Sequence, residues 1–413
     1  MLAAEADAGS GRSEGLKLFF QALNAALQDL YDDEANGVPQ SPHHKSLPDF
    51  LITMELMCAR LWLMRKMRAL VLVPADCGLF AAFLSVLDAL LLAPPDVAVT
   101  VDWRLRGNEQ HFTYAPPAHS EPCVWKQLFE PLERAATSDG GGPRDRERAA
   151  GLSGMGMAFD VDANDPMRSG TMAVNARFNL FFVSRFRWLS RHAADAEVHR
   201  RTYHRLYARW VRPRHPRLVQ VVRDIGGEIA SATRRAAAQI ASSASRAGAV
   251  SVGVHKRVDT PGTVEFQGSR RLYTSADVIE ALRRLARQLH PRPIACVFLA
   301  TDDARAERSF RNSEFGRVLL LRRGVQRVLG GLNADGTLNE VHIRSPHNPG
   351  CSLEDAVDVV ADAMLLSQCD YVLHMDSNVT TAVGLMGRDV RMLHVIDVLG
   401  ERGAVRGDIL AEL

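Results

Sequence analysis

Cysteine is sparse and scattered in this chain. Cys58, Cys77, Cys123, Cys296, Cys351 and Cys369 form no C-x-x-C pair, so a structural zinc site lacks a ligand set of the usual spacing. The count permits disulfides without demanding them, and Cys296, inside an apolar run, reads as a small buried hydrophobe. Long apolar runs are missing as well. The longest candidate, residues 79–94, is broken by Ser85 and Asp88, and no stretch is continuous enough to span a bilayer. The first fifteen residues, MLAAEADAGSGRSEG, are acidic and lack the basic start and apolar centre of a secretory signal. A soluble chain is expected, with no targeting segment there. Its compartment stays open. Net charge is slight, +2 over 413 residues, which gives no long-range attraction to nucleic acid. The basic residues are mostly arginine and concentrate in residues 200–217, RRTYHRLYARWVRPRHPR. That run can bind phosphates or form a solvated helix face. With only Tyr203, Tyr207 and Trp210 available for base stacking, a nucleic-acid partner is not expected.

What is present fits an ordinary globular protein. Hydrophobic residues make up 46% and charged residues 24%, enough to bury a core, and the length suggests two or three domains. Residues 1–65 read as a tail and two helices, near 15–31 and 48–66. A strand at 69–73, a polar turn at 74–78, a helix at 79–92 and a strand at 97–103 make a strand–helix–strand unit. Residues 137–170, rich in Gly, Asp and Arg, read as a long mobile loop; their Gly154-x-Gly156 follows no strand, so a dinucleotide fingerprint is discounted. A helical Arg/Ala-rich stretch, 176–245, closes the first domain. From 246 the alternation is regular: strands at 250–254, 294–300, 318–321, 371–375 and 392–396, and helices at 275–289, 304–314, 352–369 and 377–386. Strands alternating with helices predict a parallel sheet covered on both faces. The expected fold is α/β, with two Rossmann-like domains (66–245 and 246–413) facing a cleft.

Three polar clusters share one position, just past the carboxyl end of a predicted strand: His255–Asp259, Thr301–Asp303 and His374–Asn378. In open α/β sheets ligands gather at that edge, so residues far apart in sequence converge there. Arg257 offers a permanently charged fork that matches diphosphate oxygens; the plainer reading is a surface pair with Asp259. Ser377 and Asn378 open a helix, whose free N–H groups suit phosphate or need only a cap. Asn378-Val-Thr380 is also a glycosylation sequon, poorly placed at a helix start. Asp302 and Asp303 can bind a metal, a ribose or a backbone amide, or simply cap the next helix. Asp362 shares a helix face with Asp355 and Asp358, opposite Leu353, Val357, Val360 and Met364. That face is either solvated or supplies a carboxylate to a guanine edge.

Taken together, VGVHKRVDTPGT (252–263), FLATDD (298–303) and DAMLLSQCDYVLHMDSNVT (362–380) resemble the three motifs of the fucosyltransferase superfamily. The nearest branch is that of the α-1,6-fucosyltransferases, which holds core and nodulation enzymes. CGLFAAFLSVLDALLLA (77–93) with VDW (101–103) resembles its opening loop, helix and second strand. The resemblance implies a GT-B glycosyltransferase with the acceptor domain first and the nucleotide domain second. GDP-fucose would be the donor, a glycan or glycoprotein the acceptor, and no metal or other cofactor is required. His255 and Asp362 would hold the guanine and Arg257 the β-phosphate. Asp302 and Asp303 would shape the pocket, and Ser377 with Asn378 would close on the diphosphate. The general base would be Glu265, with Asp76 as its rival. Eukaryotic relatives work in the Golgi lumen and bacterial ones in the cytoplasm. This chain departs from the pattern at Asp259, one residue early, and at Val258, where the branch commonly has a second arginine. It departs again at Met375-Asp376-Ser377-Asn378, where two serines are usual. The competing class is a nucleotide-sugar or glycan binder that performs no transfer.

Overall fold

The computed structural model describes residues 69–73, 78–93, 97–104, 114, 120–132, 171–175, 193–241, 248–258, 273–329, 341, 351–375 and 377–400. The expectations for residues 1–66 and for the 137–170 loop, and the candidates Asp76, Asp259 and Glu265, lie outside them. The chain divides into two compact units: Met1–Phe112 with Ala118–Arg212, and Thr113–Pro117 with Pro213–Leu413.

In the first unit, β1 (Ala69–Val73) leads to α1 (Leu79–Leu92) and then to β2 (Ala98–Val101). β2 pairs parallel with β1, as a strand–helix–strand crossover requires. α1 is apolar on nearly every side, the mark of a helix enclosed by its unit. Its Phe83 stacks near Trp125 and Phe129 around the short α2 (Val124–Leu128). β3 (Thr171–Asn175) pairs parallel along the other edge of β1. It was not expected, since it falls between the predicted loop and the predicted helical stretch. TMAVN is too short to show a period, and its pairing comes from a strand about a hundred residues away. α3 (Ala193–Trp210) packs on α1. Tyr203 Oη there donates to Asp88 Oδ1 at 2.6 Å, with both residues fully buried. That bond accounts for the acidic residue interrupting an apolar helix.

The second unit opens with α4 (Pro216–Ala241), which packs on the second unit's own sheet. This differs from the expectation that placed the whole of 176–245 in the first domain. A long amphipathic helix has no sequence mark naming the sheet it covers. The following elements are β4 (Val250–Lys256), α5 (Ser275–Leu289), β5 (Ile294–Thr301), α6 (Ala304–Arg311) and β6 (Leu319–Leu320). Then come α7 (Leu353–Leu366), β7 (Tyr371–His374), α8 (Asn378–Met386), β8 (Arg391–His394) and α9 (Val395–Leu399). The five strands form one parallel sheet in the order β6-β5-β4-β7-β8. From β4 the chain first builds outward through β5 and β6, then returns to add β7 and β8 on the other side. The topological switch point therefore lies between β4 and β7.

Side chains alternate across the sheet. Val250, Val252 and Val254 join a core with Val278, Leu282 and Leu285 of α5 and with Val395 and Leu399 of α9. Ser251, Gly253 and His255 face the opposite layer, which contains α4 and α7. A Cβ at Gly253 would stand 2.8 Å from Leu366 Cδ2, so its absence lets α7 lie close. Residues 395 and 396, expected to continue a strand, begin α9 instead. His394 Nδ1 accepts the Ile396 N–H at 3.2 Å, and Gly400, at φ 70°, ends the helix in the left-handed region. Local capping outweighs the β-branched run at that point.

Candidate functional site

The carboxyl ends of β4, β5 and β7 lie side by side. In register, Lys256 stands beside Thr301, and Val254 beside Leu373. His255–Val258, Thr301–Asp303, and His374, Met375 and Ser377 are thereby brought to one sheet edge, flanking the switch point. This is the place where a crevice forms in an open α/β sheet.

On β4, His255 is buried, and burial together with the nearby Arg257, His374 and Lys256 lowers its pKa to about 3. It is a neutral imidazole at physiological pH, suited to hydrogen bonding rather than to charge pairing. His374 and His394, one rung along on β7 and β8, are buried with their rings 5.4 Å apart and edge to face. Lys256 is wholly buried, donates to the Arg257 carbonyl and faces Asp303 Oδ2 at 4.0 Å. Arg257 is half-buried, and Val258, which follows it, is fully buried.

The two aspartates after β5 make backbone contacts. Asp302 Oδ1 accepts the Val258 N–H at 2.6 Å, tying the ends of β4 and β5 together. Asp303 is the N-cap of α6, and its Oδ1 accepts the Arg305 N–H at 2.7 Å. Ser377 caps α8 in a reciprocal box with Thr380, whose N–H donates to Ser377 Oγ at 3.1 Å. Asn378 is the first residue of α8. Because the Ser377 hydroxyl is engaged in the cap, an anion there would meet backbone N–H groups and the positive helix end.

Asp362 is not part of a solvated acidic face. Arg322, just past β6 and 4% exposed, donates through Nη1 to Asp362 Oδ1 at 2.9 Å and through Nη2 to Asp358 Oδ1. Asp358 also accepts from Arg217 Nη2 at 2.9 Å. Burial raises the pKa of Asp362 to about 6 against the lowering effect of Arg322. Only Asp355 of the three keeps the role of a helix-start residue, in a capping box with Ser352.

Sequence reasoning passed over several features here. Lys256 lay inside a quoted motif but was overshadowed by its neighbours. Arg322 satisfies the same criterion as the other clusters, a charge just past a strand end, and that rule would have found it. The His374–His394 contact needed the strand order. Tyr114, from the five-residue excursion Thr113–Pro117 that belongs to the second unit, had no signal at all. It is buried, bonded to Cys351 and within electrostatic reach of Arg257, and burial raises its pKa well above the usual phenol value.

Among the described residues, no group of three His, Cys, Asp or Glu side chains is placed to hold a metal ion. Nor is any helix among them long and apolar enough to cross a membrane.

No protein-family profile matches the sequence, and no curated protein matches it. Among solved structures, the chain is similar to NodZ alpha-1,6-fucosyltransferase soaked with GDP-fucose, at 14% identity, covering 79% of this chain and 94% of that one, with a TM-score of 0.41. The same enzyme co-crystallised with GDP gives 16% identity, 77% and 92% coverage and a TM-score of 0.40. A mutant of Arabidopsis thaliana FUT1 in complex with GDP gives 12%, 88% and 82%, with a TM-score of 0.36. The likeness is distant and assigns no residue. What the chain itself shows is a mixed α/β protein with a parallel, doubly covered sheet.

Proposed function

We propose that this chain is a nucleotide-sugar-dependent glycosyltransferase and, more finely, an inverting fucosyltransferase that uses GDP-fucose and a glycan or glycoprotein hydroxyl. The observation that carries the reading is the switch point between β4 and β7, flanked by Arg257 on one side and by the capped start of α8 on the other. A guanidinium and a helix N-terminus on the two sides of one crevice suit a diphosphate. The three motifs resembling the fucosyltransferase superfamily supply the identity of base and sugar.

In this reading the acceptor oxygen attacks the anomeric carbon as the bond to the β-phosphate oxygen breaks. The acceptor's proton passes to a carboxylate, Glu265 or Asp76, and GDP departs with the bonding electrons. Arg257 and the first N–H groups of α8 stabilise the charge that grows on the leaving diphosphate, work a divalent ion would otherwise do. His255 and Asp362 lie at the base end, and Asp302 and Asp303 hold the strand ends that shape the pocket.

A second reading, a nucleotide-sugar binder without transfer, is favoured by two observations. Val258, where a second arginine is common in the resembling branch, is fully buried. Asp362 already has Arg322 on one oxygen. Calorimetry with GDP beside a GDP-fucose hydrolysis assay, on wild type and Arg257→Ala, tests both. Binding and turnover that fall together in the variant support the transferase. Binding without turnover on any acceptor supports the binder. No GDP binding by the wild type sinks both.

A further inference from the structure

The peptide that joins Arg257 to Val258 is gripped at both polar ends by charged side chains. Its carbonyl accepts from Lys256 Nζ, and its N–H donates to Asp302 Oδ1 at 2.6 Å. The grips are themselves anchored. Lys256 Nζ faces Asp303 Oδ2 at 4.0 Å. Asp303 is fixed as the cap of α6, with its own N–H on Thr301 Oγ1 at 3.0 Å.

An ammonium with 0% exposure on a strand is costly unless it is paired and bonded. An apolar residue would fill the same space without that cost, so the charge calls for a role. Lys256 cannot meet a ligand in the crevice, because it is enclosed on the face it shares with Val252 and Val254 by strand alternation. Its effect must pass through what it holds. Of the three residues 256–258, Arg257 alone is partly exposed, and the gripped peptide is the one that follows its Cα. Holding both ends of that plane leaves the Cα–Cβ direction of Arg257 little freedom. A guanidinium fork gains most from being set in advance, since its two-point geometry tolerates little misalignment.

We propose that Lys256, acting with Asp302, is a positioning residue that presets Arg257 for the diphosphate of the donor; this rests on the nucleotide reading above. The grip lowers the ordering cost of anion binding without touching the anion.

The experiment is calorimetric titration of GDP and of pyrophosphate into wild type, Lys256→Met, Arg257→Lys and the double variant. Lysine at 257 is a flexible point charge that keeps binding measurable and needs no preset direction. Lys256→Met is expected to weaken GDP binding about tenfold in the wild-type background, and by less than about twofold once Arg257 is lysine. Should Lys256→Met alone fail to fold, Lys256→Met/Asp303→Asn removes both charges and keeps the cap, since Asn caps as well as Asp; the same losses are expected. Equal weakening in both backgrounds means Lys256 is merely structural, and unchanged affinity in folded Lys256→Met overturns the proposal outright. Failure of the wild type to bind either probe removes the nucleotide reading itself, an outcome distinct from these two.

Discussion

Arg322 holds Asp362 and Asp358 with two nitrogens of one guanidinium, the Asp362 contact being 2.9 Å. Arg322 is 4% exposed on its side chain and Asp362 16%, so neither charge is solvated. Removing the cation deprives Asp362 of it in a poorly hydrated place, beside an Asp358 that keeps Arg217. Arg322→Met is therefore expected to destabilise the fold by about 3–5 kcal/mol at pH 7, measured by urea unfolding. Part of that loss should return at pH 5, where Asp362 can take up a proton. A loss below about 1 kcal/mol would show that the pair is solvated after all.

The stability of the second unit should carry two opposed pH contributions. The pKa of His255 is lowered to about 3 from the ordinary value near 6.5. Its contribution is complete above that ordinary value and is lost as pH falls from about 6.5 toward 3. The pKa of Asp362 is raised to about 6, above its unfolded value. Its contribution is complete below about 4 and is lost as pH rises through 6. Wild type should thus show a shallow profile between about pH 4 and 6, where the two slopes cancel. His255→Asn should leave a profile that falls with rising pH there, and Asp362→Asn one that rises. Unfolding midpoints at four or five pH values decide it, and identical slopes in all three proteins would refute the assignment.

The regular part of the fold was readable because it is local. Helices 79–92 and 275–289 match their predicted bounds to the residue, the first marked by its apolar run after a polar turn and the second by apolar residues on one face. The convergence of three polar clusters at one sheet edge was readable too, because polar residues stop each buried strand at the same level. What was hidden depends on partners distant in sequence. Nothing in TMAVN names β1 as its partner, and nothing in residues 216–241 names the sheet that helix covers. The acidic stripe of α7 looked solvated because Arg322, 40 residues before Asp362, is not its neighbour in the chain. Asp88 looked like a flaw in an apolar helix until Tyr203 was placed against it.

That last pair makes its own prediction, in the first unit. Tyr203→Phe removes the donor and leaves the Asp88 oxygen without it in a fully buried position. A buried acceptor deprived of its partner costs roughly 1–3 kcal/mol. Thermal unfolding should show the loss, and the double change Tyr203→Phe/Asp88→Leu should recover part of it, because an apolar pair needs no bond. If the double variant is worse than the single, Asp88 has a stabilising role independent of Tyr203.

Gly253 has ordinary backbone angles, so its smallness serves packing alone. Alanine there would place Cβ 2.8 Å from Leu366 Cδ2, 3.2 Å from Val372 Cγ2 and 3.3 Å from Cys369 Sγ. Gly253→Ala is expected to cost about 1–3 kcal/mol through overpacking. Leu366→Val in the same chain should relieve some of it by withdrawing the nearest methyl. An unchanged unfolding midpoint in Gly253→Ala would mean that α7 shifts freely over β4.

Under the transferase reading, the proton of the acceptor hydroxyl must go to a carboxylate, and the described ones at the sheet edge are already engaged. Asp302 binds the Val258 N–H, Asp303 caps α6 and faces Lys256, and Asp362 holds Arg322. Each already holds a group of the protein in place, a duty that taking up the acceptor's proton would disturb. The base is then expected from Glu265, after the basic motif, or from Asp76, in the turn after β1. Glu265→Gln should lower turnover well beyond tenfold while leaving GDP affinity within about threefold, since general-base removal acts on the transition state and not on donor binding. If Asp76→Asn does this instead, Asp76 is the base. If neither change lowers turnover by more than about tenfold, no carboxylate at these positions takes the proton, and the chain is better read as a binder of the nucleotide sugar.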